Sequence, residues 1–168
     1  LAADGRVEIA TSPFYHPIVP LLLDTDVART SLPHDPLPER FSAPEDAREH
    51  IERAIASHER AFGQKPRGMW PPEGSLSSDA VALYQSCGVE WLAGDVHTLA
   101  RSIPEPEKNP HTRLHLHRGV SIGFRDQDIS DRIGFRYAHM PESAAVDDFV
   151  SAVRHLGEKD GAVFVFLD

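Results

Sequence analysis

Four acidic residues, Glu73, Asp95, Asp126 and Asp168, each follow a short apolar segment of this 168-residue chain. We interpret the apolar segments as strands that alternate with helices, a pattern typical of a parallel sheet. Because parallel strands place their carboxyl ends along one edge, where ligands bind in such folds, we expect these carboxylates to converge there. Two carboxylates in one pocket can cleave a bond between sugars, one as nucleophile or base and the other as a protonated acid.

Glu73 lies in the stretch RGMWPPEGSLSSD, residues 67–79. The segment before Glu73 is predicted to be a short strand, which Pro71 and Pro72 end because proline has no N–H group for a sheet ladder. One of the serines after Glu73 is predicted to cap a helix over residues 79–87. This carboxylate would then sit in the loop between a strand and a helix. The alternative is a surface glutamate that does no more than cap the helix.

Periodicity and glycine or proline breaks predict the remaining elements. Residues 42–62 are predicted to form the clearest helix, with Ser42 and Glu45 as a capping box. Residues 161–168, GAVFVFLD, are predicted to form a strand that is buried on both faces. No periodic pattern predicts an element between residues 96 and 113. The fold class is therefore α/β with a parallel sheet, either open or closed into a barrel.

Composition excludes several classes of function. A hydrophobic content of 40% and a charged content of 26% are typical of a globular protein, and no apolar run approaches the roughly 20 residues that span a bilayer. The net charge of −9, without a basic stripe, argues against a nucleic acid or anionic membrane partner.

Cys87 is the only cysteine, so no internal disulfide forms and the compartment stays open. The chain begins at Leu1 without a signal-peptide pattern, and we expect it to be part of something longer.

A metal site is the main alternative to a pair of carboxylates. His115 and His117 alternate on a predicted strand and would project to one side, as zinc ligands can, and His16 ends another loop. Histidines two apart on a strand also commonly face solvent, and no helical pair of histidines supports the metal site. Aromatic rings on which sugars could stack lie near the predicted edge: Trp70, Trp91, Phe14, Tyr15 and Phe124.

Four motifs together resemble a known family. They are SPFYHPIVPLLLD (12–24), GMWPPEGSLS (68–77), FRDQDISDRIGFRY (124–137) and VFVFLD (163–168). In order and spacing they resemble glycoside hydrolase family 57, especially its amylopullulanase-like and α-amylase-like members. The resemblance implies a retaining enzyme acting on α-glucans such as starch, glycogen or pullulan, with no catalytic metal or other cofactor. It also implies an incomplete (β/α)7 barrel, of which residues 1–168 would be a partial catalytic domain lacking the first strand and the C-terminal remainder.

The resemblance also implies roles for particular residues. Glu73 would be the nucleophile, and Asp168, at the end of an apolar strand, would be the general acid/base. We expect Arg125 to keep Asp126 ionised. Five residues would line the sugar subsites or hold the two carboxylates in place: His16, Trp70, Asp95, Arg125 and Asp126. Asp95 departs from the family pattern, because a valine follows it where a second acid is expected.

Three other functions are compatible with the same residues. A transglycosylase or branching enzyme of the same family would use the same carboxylates and pass the sugar to another glucan. A non-catalytic carbohydrate-binding module would use the acids only to bind sugar hydroxyls. A zinc-dependent mannosidase or deacetylase would use Asp126 together with histidines. The linkage that is cleaved and the oligomeric state are not encoded in any motif.

Overall fold

The computed structural model describes residues 4–103, 109–156 and 161–167, and divides the chain into two compact units. The first unit comprises residues 1–93 and 116–122, and the second comprises residues 94–115 and 123–168. Among the described residues, no helix is long and apolar enough to cross a membrane.

Helices and strands alternate over residues 44–117, as predicted. The α-helices are α1 (Val19–Leu23), α2 (Pro44–Phe62), α3 (Ser78–Ser86), α4 (Val96–Ser102), α5 (Gln127–Asp131) and α6 (Glu142–Leu156). The strands are β1 (Gly68–Met69), β2 (Trp91–Gly94), β3 (His115–His117) and β4 (Val120–Phe124). By contrast, α1 and α2, β3 and β4, and α5 and α6 follow one another directly. Short 3₁₀ helices cover Thr25–Thr30, Pro110–Thr112 and Tyr137–His139, Arg132–Arg136 form a π-helix, and Pro72–Gly74 form a turn in which Glu73 has non-helical dihedral angles.

The strands form one sheet in the order β1-β2-β4-β3. Strands β1 and β2 are parallel, with Met69 opposite Leu92. The β3–β4 connection is a tight turn in which Arg118 and Gly119 both have positive φ, 50° and 80°, as hairpin turns of type I′ require. The hairpin makes the sheet mixed, whereas the sequence predicted a parallel one. The barrel implied by the resemblance stays a prediction.

Helix α2 buries part of the stripe that its periodicity predicts, which also included Ile55, Ala61 and Phe62; Ala61 and Phe62 are exposed. Ala47, Ile51, Ala54 and His58 are its buried residues. Gly63 ends the helix in the left-handed conformation (φ 76°), which glycine adopts at little cost. The predicted capping box is wrong, because the helix begins at Pro44 and has no side-chain cap. The Ser42 hydroxyl donates to the Leu23 carbonyl oxygen at 2.7 Å, which ties the segment before α2 to the end of α1.

Two predictions for the second unit are also wrong. Residues 161–167 form no regular strand, and none of them is buried. Their backbone hydrogen bonds go to separate partners: Ala162 N–H donates to the Thr112 carbonyl at 2.8 Å, the Phe164 carbonyl accepts from Asp126 N–H at 2.8 Å, and Phe166 N–H donates to the Ser130 hydroxyl at 3.3 Å. Apolar composition predicted burial on both faces, but such burial requires other elements packed against each face. The stretch 96–113, for which no element was predicted, contains helix α4 and a 3₁₀ turn.

Candidate functional site

Glu73 occupies a strained turn immediately beyond β1. Pro71 and Pro72 are buried, and the Pro72 carbonyl accepts from Ser75 N–H at 3.0 Å, which closes a four-residue turn. Its central residues, Glu73 and Gly74, have φ values of 57° and 60°. Positive φ at both positions is typical of type I′ turns, where asparagine or glycine is the usual first residue. Glu73 is exposed, and within the described part of the chain its carboxylate has no hydrogen-bond or ion-pair partner.

A second strained loop leaves the same edge of the first unit. Thr11 forms a parallel bridge with Met69, and its carbonyl accepts from Trp70 N–H at 2.9 Å. The chain beyond Thr11 therefore leaves in the same direction as the chain that carries Glu73. In that loop Tyr15 and His16 have φ values of 61° and 56°. Side chains disfavour this conformation, which persists only where surrounding contacts impose it and which is concentrated at functional sites.

Three of the five non-glycine residues with positive φ in the described ranges lie in these two loops. The other two have local explanations. Asn109 is a residue type that tolerates this conformation, and Arg118 belongs to the hairpin turn. Tyr15 is a central residue of the turn that the His16 N–H closes on the Pro13 carbonyl, at a position where glycine is usual, and Glu73 stands in a turn that joins no hairpin. We therefore define the candidate site as the loop 12–16 together with the turn 71–75.

The His16 side chain is held at one ring nitrogen. Its Nδ1 lies 3.1 Å from the Ser12 hydroxyl oxygen, and its backbone N–H donates to the Pro13 carbonyl at 2.9 Å. The other ring nitrogen, Nε2, has no partner in the part of the chain that the structure describes. An exposed imidazole with one restrained and one open nitrogen can meet a ligand hydroxyl as donor or acceptor.

Asp95 and Asp126 follow neighbouring strands and both act as helix caps in the second unit. Asp95 Oδ1 accepts from His97 N–H at 2.8 Å, and Asp126 Oδ1 accepts from Ile129 N–H at 2.9 Å. Strand β2 runs parallel to β4, because the Arg125 N–H donates to the Gly94 carbonyl while, earlier along both strands, Ser121 N–H donates to the Glu90 carbonyl. Each carboxylate therefore caps a helix, and any role in binding would be additional.

The expected pairing of Arg125 with Asp126 is wrong. Arg125 Nη2 donates to Asp131 Oδ1 at 2.6 Å, whereas Asp126 Oδ2 lies 2.9 Å from Nε2 of His111. Asp126 is buried and its side chain is 6% exposed, so this histidine is its main polar partner besides the helix cap. His111 lies in the stretch 96–113, where no periodicity marked it, and sequence analysis missed it.

A cavity of about 750 Å³ lies within the second unit. Asp126 and His111 line it together with Arg132 and Asp148. Arg132 Nη1 donates to Asp148 Oδ2 at 2.9 Å and lowers the pKa of Asp148 below its usual value, and the Tyr137 hydroxyl adds a second bond at 2.9 Å. These two hydrogen bonds keep the Asp148 carboxylate ionised, and both use its Oδ2 atom.

The aromatic residues differ from the predicted platforms. Tyr15 is 78% exposed, but Phe124 is buried, with its ring against His115. Trp91 pairs with Gly68 at the beginning of both strands, the end opposite Glu73, and its Nε1 donates to Glu8 Oε1 at 2.6 Å. Trp70 is half-buried and directly precedes the two prolines. Phe14 and Tyr15 thus lie in the loop 12–16 and Trp70 directly precedes the turn 71–75, while Trp91 lies against Gly68 and Phe124 is buried.

The histidines considered as zinc ligands have separate partners. His115 Nε2 lies 2.8 Å from the Pro110 carbonyl, and His117 Nε2 lies 3.0 Å from the Ser78 hydroxyl. His16 is bonded to Ser12. Across the described ranges, no three histidine, cysteine or acidic side chains form a cluster that could hold a metal ion. Asp168 lies outside the described residues, so its approach to Glu73 stays a prediction.

A family model and several solved structures match this chain. The sequence model of glycosyl hydrolase family 57 matches residues 1–168. A search against curated protein sequences finds no significant match.

Three solved structures share the fold. The 4-alpha-glucanotransferase from Thermococcus litoralis has a TM-score of 0.67 at 20% identity, covering 100% of this chain and 22% of that one. The alpha-amylase AmyC from Thermotoga maritima has a TM-score of 0.59 at 19% identity, covering 79% and 22%. A GH57-type branching enzyme from Pyrococcus horikoshii has a TM-score of 0.55 at 21% identity, covering 79% and 24%. The chain thus spans less than a quarter of each of these proteins, and identities this low establish the fold alone.

Proposed function

Because the chain belongs to glycosyl hydrolase family 57, we propose that it carries the catalytic carboxylates of a retaining enzyme acting on α-glucans. Glu73 is the proposed nucleophile and Asp168 the proposed general acid/base. The observation that carries the proposal is the strained, exposed turn at Glu73, which holds a carboxylate without a described partner just beyond a parallel strand. His16, Trp70, Asp95, Arg125 and Asp126 are proposed to bind the sugars or to support the carboxylates.

In the proposed reaction the sugar passes through a covalent ester. A Glu73 carboxylate oxygen attacks the anomeric carbon while the bond to the leaving oxygen breaks, and Asp168 gives its proton to that oxygen. The Asp168 carboxylate then takes a proton from water, whose oxygen attacks the same carbon and releases Glu73. Two inversions give net retention of the α configuration.

The nucleophile is tested by chemical rescue in the intact protein. E73A should lose glucan cleavage, and added azide should restore turnover with a β-glycosyl azide as product, because the small anion attacks once from the face that Glu73 occupied. D168A should keep activity toward substrates whose leaving group needs no proton. Unchanged cleavage of soluble starch by E73A and E73Q would remove Glu73 from the nucleophile role.

Hydrolysis of the amylase or pullulanase type is the form of the reaction that we propose. Transglycosylation or branching by the same carboxylates is the alternative, since an acceptor hydroxyl can replace water in the second step. The two differ in their products: hydrolysis of maltoheptaose releases one new reducing end per bond, whereas transfer gives longer chains without a net gain. A protein that binds maltoheptaose and never cleaves it would instead be a carbohydrate-binding module.

A further inference from the structure

The loop 12–16 has a backbone conformation that its own residues do not favour. Tyr15 and His16 are consecutive residues with side chains in the left-handed region. Tyrosine in particular rarely adopts it unless neighbouring groups fix the peptide planes on either side. The contacts that fix the loop therefore determine where the exposed His16 imidazole lies.

Helix α2 supplies those contacts through His50. The Phe14 N–H donates to the His50 carbonyl at 2.9 Å, and His50 Nδ1 is hydrogen-bonded to the Phe14 carbonyl oxygen. Because a carbonyl oxygen only accepts, Nδ1 must carry the hydrogen. Both polar groups of the Phe14 backbone are thus bonded to a single residue of α2.

Ring contacts add to this attachment. The Arg53 guanidinium lies 5.4 Å from the centre of the Phe14 ring, and the Tyr15 ring meets His50 edge-on at 6.0 Å. The bonded Phe14 carbonyl belongs to the peptide that precedes the positive φ of Tyr15. When His50 fixes that peptide plane, it fixes the rotation that leads into Tyr15 and His16.

We infer that His50 is a positioning residue for substrate binding, which acts by holding the loop 12–16 so that His16 meets the sugar. The inference rests on the proposed function, because it needs an α-glucan as the ligand. His50 itself is only partly exposed, and its Nδ1 is already used. On the other side of the same loop, the Ser12 hydroxyl is hydrogen-bonded to Nδ1 of His16, which leaves Nε2 of His16 for the ligand.

The side chains of asparagine and glutamine separate this role from a general need for a polar residue. The amide nitrogen of asparagine is as many bonds from the backbone as Nδ1, whereas that of glutamine corresponds to Nε2. H50N can therefore donate to the Phe14 carbonyl and H50Q presents its donor in the wrong place. H34Q, at an exposed loop histidine, is the matched control.

The experiment measures the steady-state kinetics of the intact protein on maltoheptaose. H50Q should raise KM by about tenfold, the effect of one lost hydrogen bond, while H50N and H34Q should stay within about threefold of the unaltered protein. The dissociation constant of maltoheptaose, measured in the E73Q background, should rise in the same ratio. Thermal melts should show that each variant folds.

Equal KM values for H50Q and H50N would overturn the inference, since a merely structural histidine would not distinguish the two. If H50Q fails to fold, KM is measured for S12A instead. This variant removes the hydrogen bond at the other end of the loop 12–16 and should also raise KM. An unchanged KM in S12A would then count against the inference. If E73Q cleaves maltoheptaose at the normal rate, the nucleophile assignment fails separately, and the ratio of KM values still tests His50.

Discussion

Replacing Glu73 by asparagine should make the protein more stable while abolishing cleavage. A left-handed conformation costs a residue with a side chain about 1–2 kcal/mol, and asparagine tolerates it better than glutamate does. Asparagine followed by Gly74 is also the pair that type I′ turns favour. Because the Glu73 carboxylate is exposed and has no partner among the described residues, its removal breaks no described bond.

E73Q is the matched variant for the stability of E73N. E73Q keeps both the strain and the length of the side chain, so it should melt with the unaltered protein. E73N should gain about 1 kcal/mol in the free energy of unfolding, which for a domain of this size is about 2–4 °C in Tm. Thermal melts and urea titrations of the intact protein measure the difference between the two variants.

Both variants should lose cleavage of maltoheptaose, because neither amide can form the covalent ester. A Tm for E73N at or below that of E73Q would refute the strain argument. It would mean that the surrounding prolines, rather than the residue at position 73, determine the energy of the turn. Full activity in E73N would refute the catalytic argument independently of the melt.

Two further predictions concern the core. The hydroxyl of Tyr84 is buried with no hydrogen-bond partner among the described residues, and burial raises the pKa of its phenol well above the usual value. Y84F should therefore raise the free energy of unfolding by about 1 kcal/mol. The gain should grow above about pH 10 in urea titrations, since only the unfolded tyrosine ionises there, and a destabilised Y84F would contradict the argument. A Cβ on Gly68 would lie 1.9 Å from Trp91 Cε2, so G68A should lower the free energy of unfolding by about 1–3 kcal/mol. G134A is the control, because a Cβ there meets open space, and equal melting temperatures for the two variants would contradict the clash.

The sequence predicts elements better than it predicts partners. Helix α2 and its buried stripe follow from a periodic pattern that ends at Gly63, and helix α3 is capped by Ser77, one of the serines proposed for that role. The Ser42 cap and the Arg125–Asp126 pair are wrong for one reason. Each was assigned to a sequence neighbour, whereas a group elsewhere in the fold binds the side chain, Leu23 in one case and Asp131 in the other.

The candidate loops show why a site can be located by motif and still have an unpredicted conformation. Turn rules assign positive φ to glycine and asparagine, and neither residue type stands at Tyr15, His16 or Glu73. His50 also gives no signal, because it stands among charged residues that indicate a solvated helix face. Its partner, the Phe14 carbonyl, is 36 positions away in the chain.

Conflict between local preference and observed backbone is itself informative about function. A sequence that only had to fold would place asparagine at position 73, and the local rules agree with the backbone nearly everywhere in helices α2 and α3. At Glu73 and His16 the turn chemistry is overridden by buried prolines in one case and by helix α2 in the other. Restraint of this kind fixes the backbone from which both side chains project before a ligand arrives, so that part of the ordering cost is met during folding rather than during binding. That is the arrangement expected of groups that must meet a sugar in a single orientation.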